Sequence, residues 1–107
     1  MKTRLLLVVL GMTLSGAAAA ADVVKGKASF AICAACHGQS AEGNEAMGAP
    51  KLAGQSSWYL VTQLENFKEG IRGSHEDDTW GQTMMPMAMT LATDEDIENV
   101  VAYIGTL

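Results

Sequence analysis

The sequence predicts an all-α fold, and three observations carry that expectation. The last stretch of chain sets Ile97, Val100, Val101 and Ile104 at i, i+3, i+4 and i+7, one stripe of a helix. Residues Trp58–Glu69 set Leu60, Val61, Leu64 and Phe67 at the same period. Nowhere does an alternating apolar and polar run compete for a strand.

The elements follow in chain order. Lys2 and Arg4 precede the apolar run Leu5–Leu10, and small residues follow from Ala17 to Ala21. A positive start, a short apolar stretch and small residues before a cut site describe an export signal peptide. The stretch is shorter than the roughly 20 residues a bilayer span needs, so stable membrane insertion is not expected. Cleavage is expected after Ala21, with the bond one residue earlier as the alternative. Residues 22–107 would then form a single domain.

Residues Val23–Ala35 are good helix formers, with an apolar face expected through Val23, Ala28, Phe30 and Ile32. Gly26 interrupts this helix at a cost of about 1 kcal/mol relative to Ala, which suggests a packing purpose. Gly38 to Gly48 reads as a polar surface loop. Ser56 or Ser57 can cap the helix Trp58–Glu69, and Gly70 stops it. Gly70–Thr83 reads as another polar loop. Thr93 followed by Asp96 resembles a capping box for the last helix, and the neighbouring acids suit its N-terminus.

Composition excludes several functions. Of 107 residues, 7 are basic and 12 acidic. Without residues 1–21 the chain has 86 residues, 5 basic and 12 acidic, for a net charge of −7. That balance argues against nucleic acid or anionic lipid as the main partner. A domain of this size is close to the limit at which a side-chain core alone suffices, so an additional staple is expected.

Cys33-Ala34-Ala35-Cys36-His37 has the C-x-x-C-H spacing of covalent c-type haem attachment. Two thiols three residues apart can add across the two vinyl groups on one porphyrin edge, and the next residue offers an imidazole to the iron. A structural zinc site would need four ligands, but only two cysteines exist and His75 lies in a loop rich in Gly and Asp. A thioredoxin-like pair would need a βαβ setting that the sequence lacks. A disulfide would close a very short loop and stabilise little.

With these motifs the chain resembles the class I c-type cytochromes, above all small bacterial periplasmic monohaem proteins and single domains of the dihaem cytochromes c. The resemblance runs from about Val23 to Leu107. It implies the cytochrome c fold, about four to five short helices wrapped around one covalently attached haem c. It also implies that Gly26 and Phe30 meet Val100 and Tyr103 where the first and last helices cross.

Within the resemblance, Cys33 and Cys36 would be the thioether residues and His37 one axial iron ligand. Four methionines, Met84, Met85, Met87 and Met89, crowd the stretch before the last helix; a Met-rich stretch is by itself ordinary core filler. The family's ligand methionine precedes an alanine by four residues and a bulky apolar residue by seven, and Met84 does so with Ala88 and Leu91. Counting back from the Thr93 cap leaves Met85 open, and Met87 is a further alternative. A proline carbonyl, here Pro50, would hold the His37 ring, with Leu52 packing on the haem face. Trp58, Tyr59, Arg72 and Trp80 could meet the haem propionates; the alternative is that the aromatics simply wall the pocket and Arg72 sits in water. His75 reads as a solvated loop residue.

The function so implied is a periplasmic shuttle of single electrons with His/Met axial ligands, and not an enzyme. Its partners would be redox proteins, a dehydrogenase or reductase as donor and an oxidase or reductase as acceptor. Two alternatives remain open at this point: a haem subunit of a larger dehydrogenase or oxidase, and a five-coordinate haem enzyme or sensor.

Overall fold

The computed structural model describes Gly11 and residues 20–107. The expected export segment, 1–21, therefore lies almost entirely outside the described residues. Four helices follow in order: α1 (Val23–His37), α2 (Ser57–Lys68), α3 (Thr79–Ala88) and α4 (Asp94–Ile104). A single 3₁₀ turn, Glu45–Met47, lies between α1 and α2. Among the described residues the one trace of β pairing is an isolated bridge between Asn44 and Ala49. No described helix is long and apolar enough to cross a membrane.

Asp22 starts α1: its Oδ1 accepts from the Val24 and Lys25 amides, both at 3.0 Å. The buried stripe runs through Gly26, Phe30, Ala34 and His37. This corrects the expected face, since Val23 and Ile32 are 41% and 44% exposed and Ala28 is exposed too. The reason is angular: at 100° per residue, positions 28 and 32 sit about 200° round from 26 and 30.

The last helix matches its pattern. Thr93 Oγ1 accepts from the Asp96 amide and Asp96 Oδ2 from the Thr93 amide, each at 3.1 Å, a reciprocal capping box. Ile97, Val100, Val101 and Ile104 are all buried.

The most extensive helix packing is between α1 and α4. A Cβ at Gly26 would overlap the Asn99 carbonyl, so only glycine lets the two backbones come this close. One turn on, the Phe30 and Tyr103 rings meet with centroids 5.4 Å apart. The partner at Gly26 is thus Asn99 beside Tyr103, where Val100 was expected. A pattern of apolar residues passes over an asparagine, yet Asn99 is 2% exposed and its Oδ1 accepts from the Asp22 amide at 2.7 Å.

Two loop expectations are corrected. Residues 79–83 belong to α3, because Asp78 caps that helix by accepting from the Gly81 amide at 2.9 Å. Gly73, with φ +83°, packs against the Gly81 carbonyl and lays the preceding loop across the start of α3. Pro86 falls in the last turn of α3, where it removes only the bond to the Gln82 carbonyl. The segment 38–48 keeps polar residues at its surface, but Ala41 is wholly buried and its carbonyl accepts from the Leu52 and Ala53 amides.

Candidate functional site

The four helices enclose a cavity of about 300 Å³, at the small end of the ~300–1,000 Å³ usual for ligand pockets. Since α1 packs on α4 and α3 packs chiefly on α2, the cavity opens between these two pairs. Leu52, Leu60, Leu64, Leu91, Val100 and Ile104 supply its inner wall.

The last turn and a half of α1 delivers Cys33, Cys36 and His37 to one side. The two thiols are free, so the disulfide reading is not realised. Burial pushes the Cys33 thiol up, with the nearby Cys36 adding to the rise and a backbone hydrogen bond opposing it.

His37 is 6% exposed, and its Nδ1 lies 2.8 Å from the Pro50 carbonyl oxygen. A carbonyl can only accept, so Nδ1 carries the proton and Nε2 keeps its lone pair in the neutral ring. No described group hydrogen-bonds to Nε2, and no described buried side-chain nitrogen or oxygen is left unsatisfied. Nε2 therefore opens onto the cavity that His37 lines.

From α3, Met84 and Met87 reach the cavity, one helical turn apart. Met85 does not line it; its Cβ lies beside Gly73. Sequence spacing alone left these three methionines open because it did not foresee that they stand on a helix.

Pro50, Leu52, Tyr59, Arg72 and Trp80 all line the cavity, whereas Trp58 is 71% exposed and stands outside it, edge-on to Tyr59. The Trp80 indole lies flat against Gly48, where any Cβ would overlap it. The Arg72 guanidinium sits 4.6 Å over the Phe67 ring and donates to Gln63 Oε1 at 2.9 Å, placing a fixed cation at the polar edge. Gln63 was not foreseen; it is the one polar residue on the stripe Leu60, Leu64 and Phe67, and that position is its only sequence signal. His75 is exposed, and its Nδ1 accepts from the Asp77 amide at 3.1 Å, away from the cavity.

Among the described residues no group of three His, Cys, Asp or Glu is placed to hold a bare metal ion. The donors instead suit a planar metallocycle: a neutral imidazole nitrogen, a thioether sulfur from another helix, two adjacent thiols and an apolar wall with one cationic edge. That set fits haem c.

The comparisons agree with this chemistry. Cytochrome c4 of Pseudomonas aeruginosa is 39% identical over 102 residues, covering 94% of this chain and 45% of that protein. Cytochrome c-554(547) of Halothiobacillus neapolitanus is 38% identical over 93 residues, covering 82% of this chain and 99% of that protein. The crystal structure of reduced recombinant cytochrome c4 from Pseudomonas stutzeri superposes with a TM-score of 0.67 at 30% identity, over 82% of this chain and 50% of that one. The chain thus spans about half the length of the cytochromes c4 and nearly all of the cytochrome c-554. The family model for cytochrome c matches residues 23–107, and this protein belongs to the cytochrome c family, whose members carry haem c covalently.

Proposed function

We propose that residues 22–107 form an exported, periplasmic electron carrier that moves single electrons and performs no catalysis of its own. In this reading Cys33 and Cys36 would hold the haem by thioethers, and His37 and Met84 would bind its iron. The observation that carries the reading is the bare Nε2 of His37 opening onto the same cavity as the Met84 side chain and both thiols.

Bound there, haem c supplies a reversible one-electron couple whose potential a methionine ligand raises. The chain's own residues do the rest. Pro50 fixes the tautomer and orientation of the His37 ring. Leu52, Leu60 and Leu64 line the cavity with apolar surface that would keep water from a haem held there. Arg72, held by Phe67 and Gln63, places a positive charge on the cavity lining that could pair with a haem carboxylate.

The acidic balance of residues 22–107 suits a redox partner with a basic patch, meeting it in a small interface steered by charge.

The test uses holoprotein purified from its native host. A weak far-red absorption band in the ferric state, no carbon monoxide binding in the ferrous state, and elution at the size of one small chain are expected. Ready carbon monoxide binding would instead make it a five-coordinate haem protein, and stable co-elution with a dehydrogenase or oxidase would make it a fixed subunit.

A further inference from the structure

Asn99 is a buried polar side chain that the haem site does not use. It is 2% exposed, sits in the crossing of α1 and α4, and accepts the backbone N–H of Asp22, 77 residues away, at 2.7 Å. Every other polar group of Asp22 is also engaged. Its carboxylate caps α1 through Val24 and Lys25, and its carbonyl accepts from the Gly26 amide at 2.9 Å. Immediately before it, Ala20 and Ala21 are exposed and belong to no helix. Within residues 20–107 the hydrogen-bonded structure thus begins at the nitrogen atom of Asp22.

We propose that Asn99 is the binding site for the mature N-terminus, the α-ammonium group released when the leader is cut between Ala21 and Asp22. The proposal rests on the export reading above and extends it to a defined receptor. Cleavage hydrolyses the Ala21–Asp22 amide: water adds, Ala21 leaves with the carboxylate, and the Asp22 nitrogen becomes an amine that takes up a proton. A positive charge at a helix N-terminus opposes the helix dipole, so it needs a local acceptor. The Asn99 carboxamide oxygen supplies that acceptor from α4, and the Asp22 carboxylate supplies the counter-charge. Processing then ties the first residue of the mature chain to its last helix by a charge-assisted hydrogen bond, in place of the ordinary amide bond of the precursor.

The test is carried out on holoprotein produced with its own leader. Intact mass should give Asp22 as the first residue; a chain beginning one or two residues earlier leaves that nitrogen an amide and overturns the proposal. Acetylation of the α-amine by acetic anhydride at neutral pH is then followed by mass spectrometry of the N-terminal peptide. It should run about tenfold slower in the native protein than in Asn99→Leu, the low end of what a hydrogen bond to a charged group is worth. Asn99→Asp, which keeps an acceptor, should retain the protection. Equal rates in native and Asn99→Leu protein, at unchanged haem absorption, overturn the proposal. If Asn99→Leu does not fold, the native rate is compared with that of the peptide Asp-Val-Val-Lys, and equality again overturns it. The mass tests the cleavage and the rates test the receptor, so the two failures are distinguishable, and neither touches the haem ligands.

Discussion

Replacing Gly26 by alanine tests the helix crossing on which the site depends. The added Cβ would lie on the Asn99 carbonyl oxygen, 2.5 Å from its carbon and 3.1 Å from the Tyr103 Cβ. All of these are backbone or root atoms that cannot swing aside, so α1 and α4 must separate by roughly 1 Å to restore van der Waals contact. Overpacking of this kind costs about 1–3 kcal/mol, at the upper end where backbone meets backbone. Alanine recovers about 1 kcal/mol through its better helix propensity. The net expectation is a loss of about 2 kcal/mol. For a domain of this size that lowers the melting temperature by about 10 °C. The assay is thermal unfolding of the holoprotein followed by far-ultraviolet circular dichroism, with Gly105→Ala as the control. Gly105 has an ordinary helical φ of −62° and its Cβ would meet the Ala102 carbonyl oxygen at 3.3 Å and the Val101 carbonyl oxygen at 3.6 Å, so the control should stay within about 0.5 kcal/mol of the native protein. A Gly26→Ala variant as stable as the control would refute the argument from close approach.

Two further outcomes bear on the sulfur side of the site. Met84→Ala should abolish the far-red ferric band and lower the reduction potential, while Met85→Ala, altering a residue outside the cavity, should leave both nearly unchanged; the reverse result, by absorption and voltammetry, would move the ligand to Met85. Asp78→Ala removes the cap of α3 at a cost of about 1 kcal/mol and should admit carbon monoxide to the ferrous iron more readily than the native protein does, measured by spectral titration.

Much of this was legible from residue pattern. The capping box at Thr93 and the buried stripe of α4 were readable because each is local, a fixed offset of three residues or a repeat near 3.6. Cys33, Cys36 and His37 were readable because their spacing is tied to one chemistry. What escaped was either non-local or polar. The start of α3 looked like loop because Gly73, Gly81 and the acids around Asp78 are turn-formers by composition; a cap on Gly81 and a glycine packed on its carbonyl make it helical instead. Asn99 and Gln63 escaped because each is a polar residue within an apolar pattern, with partners 77 and 9 residues away. The face of α1 was misjudged for a different reason. Its stripe is made of Gly26, Ala34 and His37 around Phe30, residues whose hydrophobicity does not announce burial.

The two axial candidates are held very unequally. His37 ends the helix that shares the longest packing in the fold, its ring is 6% exposed, and a backbone carbonyl from a separate segment fixes its proton at 2.8 Å. Met84 stands on a ten-residue helix that packs chiefly on α2, starts from a single aspartate cap and carries a proline in its last turn. Among the described residues no group donates a hydrogen bond to the Met84 thioether. Local opening draws on the elements with the fewest buried contacts. Partial unfolding should therefore begin at α3, drawing Met84 out of the cavity while His37 stays in place. Leu60, Leu91, Val100 and Ile104 belong at once to the core and to the cavity wall, so the imidazole side stays locked for as long as α4 stays packed. The same asymmetry lets the Met84 side of the cavity vary, by cap, proline or neighbouring methionine, without disturbing the crossing that keeps the chain folded.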